Sequence, residues 1–218
     1  MKNTIKILFI ILFILPVNAT LTRDNVADAQ MLTNIIDPPN TAALNIMVAA
    51  LSSLKELRKQ NQGTPENIEA LIKIKLLPNI AIDIVTNLVL KDYWNTIDSK
   101  QKQILQQYII QSLIADYADI LGAYEQIGNI NISTDPNVKR RDNRAIVKLL
   151  ISLSDGQNPF AVTLKMTHSN RWRIYDILFS GVSIIKNYKA QFNSIIKRKG
   201  LDNFIKEINK KLTKSTDV

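Results

Sequence analysis

The sequence predicts an α+β fold, an antiparallel sheet of about four strands with helices banked on one face. Three observations carry this. Helix-period apolar spacing runs from about Thr41 to Tyr124, period-two alternation separated by short breakers runs from Ile130 to Phe179, and the helical period returns from Val182 to Leu212. Helices, then a meander, then helices is the order of an α+β domain rather than of alternating βα units.

Residues Met1 to Ala19 carry Lys2 and Lys6, an apolar run from Ile7 to Val17, and Val17-Asn18-Ala19 at the positions a signal peptidase reads. This predicts a secretory signal peptide over 1–19 and one domain over 20–218. The apolar run is shorter than the roughly 20 residues a bilayer core demands, so cleavage is favoured over anchoring. About 199 residues then remain, enough for one domain with a sizeable core. The absence of cysteine excludes disulfides, thiolate metal sites, a cysteine nucleophile and a lipid-modified cysteine. The formal charge is +9. Export makes nucleic acid the least expected partner for such a basic chain, and no aromatic residues interleave with Lys139-Arg140-Arg141 to stack bases.

Leu21 to Asn40 has little periodicity and ends in the breaker cluster Asp37-Pro38-Pro39-Asn40. A helix capped by Thr41 follows, with Leu44, Met47 or Val48, Leu51, Leu54 and Leu57 on one stripe and Gly63 as its stop. Thr64-Pro65-Glu66 restarts a helix with proline at its first position, and Ile68, Leu71, Ile72 and Leu76 face inward until Pro78. The run from Ile80 to Leu90 is apolar on almost every side, which predicts a buried helix. Asp98 and Gln101 stand at capping-box spacing and open a long helix with Leu105, Tyr108 or Ile109, Leu113 and Tyr117 on its stripe.

Four β-rich runs come next: Ile130–Ser133, Ala145–Leu153, Phe160–His168 and Trp172–Phe179. Short connections force antiparallel pairing of the last three. Phe160, Val162, Leu164 and Met166 line one face, and Trp172, Ile174 and Leu178 line a neighbour. Gly181 permits the sharp turn from the last strand into the helix that follows. A helix from Val182 to Lys199 then lays Val182, Ile185, Tyr188 and Phe192 inward, and Gly200 ends it. A final helix carries Leu201, Phe204, Ile205, Ile208 and Leu212.

Little here suits bond-breaking chemistry. His168 is the only histidine, sits beside a turn, and has no nucleophile elbow to serve. With one histidine and no cysteine, no metal site is expected. Asp176 lies mid-strand, where an acidic residue is uncommon, and a structural aspartate with satisfied partners is the first reading. What remains is apolar surface: the two strand faces together with Leu88, Leu113, Tyr117, Val182, Ile185, Tyr188 and Phe192. Periodicity alone leaves two readings open, a filled core or a lined cavity.

Two blocks of residues bear on that choice. The first is Trp172-Arg173-Ile174-Tyr175-Asp176, Gly181-Val182-Ser183, Asn187-Tyr188-Lys189-x-Gln191-Phe192 and Gly200-Leu201-Asp202. The second is Leu76-Leu77-Pro78, Leu88 to Leu90, Trp94, and a helix containing Gln101, Tyr108, Leu113, Tyr117 and Tyr124. In this order and spacing they resemble the MlaC-type proteins, periplasmic phospholipid-binding proteins of the toluene-tolerance auxiliary transport family. The resemblance implies a cavity between sheet and helices, lined by the apolar residues just named, with a phospholipid as cargo and no cofactor or catalytic residue. It implies an inner-membrane ABC transporter complex and an outer-membrane lipoprotein complex as partners, in the periplasm. On that reading Arg144, Arg171 and Arg173 are the candidates for meeting a headgroup near the mouth, since a phosphate needs paired donors. Two other readings are an exported cyclase or isomerase using Asp176, and an envelope protein without a cavity that binds partners through its basic surface.

Overall fold

The computed structural model describes residues 38–123, 130–153 and 160–214. Helix α1 spans Pro39–Lys59 and buries Ala43, Met47, Ala50, Leu51 and Leu54. It begins two residues before the expected Thr41 cap, because Pro39 occupies the first turn, where its missing N–H costs nothing. Helix α2, Pro65–Leu71, is capped as expected: the Thr64 hydroxyl accepts from the Asn67 N–H at 3.3 Å. The coil then loosens into a π-helical turn, Ile72–Leu76, and tightens into a 3-10 turn, Leu77–Asn79, which holds Pro78 in its first positions. Helix α3 (Ile82–Val89) follows, then α4 (Ser99–Ala123). The capping box forms reciprocally at the start of α4: Gln101 N–H donates to Asp98 Oδ1 at 2.7 Å, and Asp98 N–H donates to Gln101 Oε1 at 3.0 Å. Tyr124, expected at the end of this helix, lies outside the described residues, as do the signal segment and Asp155-Gly156.

The sheet contains the four expected strands and two short ones. These are β1 (Ile130–Thr134), β2 (Lys139–Arg141), β3 (Arg144–Leu153), β4 (Phe160–His168), β5 (Trp172–Phe179) and β6 (Val182–Ser183). All pairings between them are antiparallel, in the order β1-β3-β4-β5-β6, with β2 beside β1 on the same edge of β3. The outer strand is thus broken in two, and Asp135-Pro136-Asn137 forms the break.

One irregularity changes which side chains face inward. Lys165 pairs with Asp176, but Met166 pairs with Ile174, so Tyr175 is an extra residue in β5. A bulge reverses the alternation beyond it. Trp172 and Ile174 face the core as expected, but from there Ile177 and Phe179 take the inward places, and Leu178 is displaced from the face that simple alternation assigns it.

The strand ends in a two-residue turn, Ser180 (φ 46°) and Gly181 (φ 80°), both left-handed, which suits a tight hairpin. The chain therefore does not pass directly into a helix at Val182. Val182 lies in β6 opposite Phe179 and is 49% exposed, so its expected inward position is corrected. Helix α5 begins two residues later and spans Ile184–Lys199, with Ser183 as its cap. Gly200, at φ 83°, allows the chain to re-enter a helix at once, α6 (Leu201–Lys214). Phe204, Ile205, Ile208 and Leu212 are buried as the pattern predicts.

Two cores result. One lies between the sheet, α1, α2 and the distal half of α4, around Met47, Leu51, Leu149, Leu164 and Trp172. The other is mainly helical and joins α3, the proximal half of α4, α5 and α6 around Leu90, Leu105, Ile109, Phe192 and Phe204, with Tyr175 of β5 against it. Ile80 touches both, and its neighbour Ala81 donates its N–H to the Ile174 carbonyl at 2.8 Å, which fastens this linker to the free edge of β5.

Candidate functional site

The seam between the two cores is not closed. Ile46 and Met47 of α1, Ile72, Leu76, Leu77 and Ile80 from the π and 3-10 stretch, Val85 of α3, and Leu113, Ile114 and Tyr117 of α4 surround a gap. Its floor is the bulged stretch Ile174 to Ile177, with Ile184 at the start of α5. Its wall is almost wholly apolar. The gap holds about 760 Å³ of atom-free space counted out to the solvent at its mouth, but it is narrow: the centre of a water-sized sphere has about 80 Å³ in which to move. A slit of this kind, roomy in outline and thin in section, arises because a bulge and a π turn face each other, and neither presents side chains at regular helix or strand spacing.

Of the thirteen apolar residues read from the sequence as lining candidates, Leu113, Tyr117 and Ile174 meet at this gap. Val162, Leu164, Met166 and Trp172 are packed in the sheet-side core, with Phe160 partly buried at its margin, 5.5 Å ring to ring from Phe179. Leu88, Ile185, Tyr188 and Phe192 belong to the helical core. Val182 is at the surface. The lining residues absent from that list come from α1, the 72–80 stretch, α3, α4, the bulge and the start of α5; Met47, Ile72 and Leu76 stand on stripes read as inward-facing, and Leu77 lies where one turn type gives way to another.

Asp176 is the one carboxylate at the wall, and its oxygens are occupied. Ser183 Oγ lies 2.9 Å from each of them, the Ile185 N–H donates at 3.3 Å, and Lys165 Nζ lies at 3.0 Å. Ser183 in turn accepts from the Lys186 N–H at 3.1 Å. Strand β5, the turn and the first turn of α5 are therefore tied together by one buried side chain, as the first reading of Asp176 holds. Both oxygens of the carboxylate are thus engaged within this corner.

Two tyrosines stand near the seam. Tyr188 donates its hydroxyl to Asp116 Oδ2 at 3.1 Å. Burial raises the Tyr188 phenol well above its usual value, and the Asp116 charge adds to this; burial likewise raises Tyr117, helped by Asp116 and Asp176. The unfolded chain releases these protons near pH 10.0, whereas the folded chain retains them, so the unfolded state binds fewer protons above that pH. Stability is accordingly present below pH 10 and declines as the pH rises past it. Urea melts at stepped alkaline pH check this, and replacing both residues with phenylalanine is expected to flatten the decline.

The arginines lie around the seam. Arg171 is exposed and donates to the Pro78 carbonyl at 2.8 Å, beside Leu77 of the lining. Arg144 stacks over the Tyr175 ring at 5.6 Å. Arg173 reaches Asp83 at 3.9 Å and Ser169 at 3.4 Å. His168 packs edge-on against Trp172 at 5.1 Å. Among the described residues no group of three histidine, cysteine or acidic side chains could hold a metal, and no helix is long and apolar enough to cross a membrane.

Comparison with known proteins fits this geometry. A solved phospholipid-binding protein from Ralstonia solanacearum, in complex with a phospholipid, has the same fold: TM-score 0.67 over 80% of this chain and 98% of that one, at 23% identity. The intermembrane phospholipid transport system binding protein MlaC of Haemophilus influenzae is 21% identical over 158 residues, 71% of this chain and 72% of that protein. The model of the MlaC protein family matches residues 45–210, which takes in every helix wall and the bulged floor of the gap. The chain belongs to the MlaC family.

Proposed function

We propose that this protein is a periplasmic phospholipid carrier that exchanges lipid between an outer-membrane lipoprotein complex and an inner-membrane ABC transporter, and so helps to keep the outer membrane asymmetric. The observation that carries the reading is the apolar gap at the seam of two separate cores. Two acyl chains contain on the order of 30 methylenes at about 0.8 kcal/mol each, so a phospholipid free in water is disfavoured by roughly 20 kcal/mol or more. Transfer from bilayer to an apolar pocket is nearly neutral by comparison, and small differences in docking set its direction. No bond need break, and the engaged state of Asp176 supports a role without catalysis.

The gap as it stands is too thin for two chains, so loading widens it. The seam is the place to widen, since each side keeps its own core when the sides separate. The π and 3-10 stretch is the natural moving wall: it has no long helical ladder of its own, and it is held to β5 chiefly through Ala81. Arg171 and Arg144, each beside a lining residue and neither in an ion pair among the described residues, are the donors best placed for a headgroup. Arg173, engaged with Asp83, is less so.

Gentle purification followed by organic-solvent extraction and mass spectrometry tests the proposal. Phospholipid near one molecule per chain is the expected result. An extract free of phospholipid, from protein that also fails to take up lipid from vesicles, would overturn it.

A further inference from the structure

The net charge is not spread over the molecule. Residues 184–214 hold nine lysines and arginines against two acidic residues, a net of +7 in a chain whose total is +9. Residues 7–183 carry seventeen basic and sixteen acidic side chains, close to balance. The fold then gathers this charge, because α5 and α6 form a hairpin through Gly200. Lys199 and Glu207 neutralise each other at 2.8 Å. Around that pair Lys197, Arg198, Lys206, Lys210 and Lys211 are exposed, and none forms an ion pair among the described residues. Lys206 and Lys210 border one shallow depression beside the Lys199–Glu207 pair, and Arg198 and Lys211 border another on its far side.

We propose that this end of the α5–α6 hairpin docks on the surface of an anionic phospholipid bilayer. The side chains favour a bilayer over a protein partner. Four of the five are lysines, which are depleted from protein–protein interfaces, whereas arginine and aromatic anchors are enriched there. A flat anionic surface asks for no geometric match, only for adjacent positive charges. The contact stays at headgroup level. The apolar residues of α6 are spent on the helical core, and the large exposed apolar side chains, Ile74, Ile146 and Val182, all lie elsewhere. Binding without insertion is weak and salt-sensitive, which suits a molecule that must leave again.

The location separates this contact from cargo. Ile184, the first residue of α5, lines the gap, and Lys199 at the basic end of α5 lies 15 residues along the same helix, about 22 Å away at 1.5 Å per residue. The patch therefore tethers the protein without closing or filling the gap, and the inference does not depend on what the gap holds.

Flotation of the purified full chain with vesicles tests it, using phosphatidylcholine alone or phosphatidylcholine mixed with phosphatidylglycerol. The expected result is binding to the anionic vesicles at low salt, weakening steeply towards about 0.15 M salt, and little binding to phosphatidylcholine alone. The triple variant Lys206→Gln/Lys210→Gln/Lys211→Gln should bind about a hundredfold more weakly, with its extractable lipid unchanged. An equal loss of charge elsewhere, Lys91→Gln/Lys100→Gln/Lys139→Gln, should leave binding within a few fold of the parent. Equal binding to both vesicle types, wild-type binding by the α6 triple variant, or equal losses in both triple variants would overturn the proposal. So would retention on immobilised polyglutamate through the same three lysines without vesicle binding, which would assign the patch to an acidic protein instead.

Discussion

Leu113→Trp should empty the protein of lipid while leaving it folded. Leu113 projects from the middle of α4 into the gap and is only partly buried, so a larger ring can lie in the slit without displacing packed core. There it occupies space that acyl chains need. Excluding about two methylenes, at about 0.8 kcal/mol each, already lowers the affinity for lipid relative to a bilayer more than tenfold, and a bulky ring excludes more than that. The measurement is phospholipid per chain by extraction and mass spectrometry, beside a thermal melt that stays cooperative. Leu113→Ala is the control: it enlarges the gap and should keep its cargo. If the tryptophan variant carried lipid as the parent does, the cargo would lie somewhere other than this seam.

The largest loss of stability is expected from Asp176→Ala. The substitution leaves Ser183 Oγ and the Ile185 N–H without their acceptor and strands the Lys165 ammonium beside a buried site. Breaking a buried, hydrogen-bonded ion pair in this way costs about 3 kcal/mol or more. For a domain of this size that lowers the melting midpoint by roughly 6–12 °C. Asp176→Asn, which keeps the shape and part of the hydrogen bonding, should lose distinctly less. A midpoint for the alanine variant within about 2 °C of the parent would mean that this side chain does not hold the β5–α5 corner together.

How much of this was legible in the chain depends on whether the relevant spacing was regular. The four long strands, the capping box at Asp98, the Thr64 cap and the buried stripe of α6 all follow from constant periods or fixed offsets, and each stands where the pattern put it. Irregular steps were not legible. Alternation carried through β5 without a break points to Leu178, whereas the extra residue at Tyr175 hands the inward places to Ile177 and Phe179. The stretch from Ile72 to Asn79 changes its winding twice within eight residues; a single helical pitch places Ile72 and Leu76 on one stripe but sets Leu77 about 100° away from Leu76. The gap is built partly from these irregular pieces. A reading based on periodicity therefore found the packed cores on either side and named only three of the residues between them as lining.

The broken outer strand has a consequence for how the protein keeps in solution. A sheet ending in a long, straight, apolar strand offers its spare N–H and C=O groups to any other chain, and stacking of that kind leads to insoluble fibres. Here the rim comes as two short pieces, interrupted by Pro136 and finished with Lys139, Arg140 and Arg141, so a second copy finds neither a continuous ladder nor a neutral one to add to. Crowding should accordingly add no strand to this rim of the sheet.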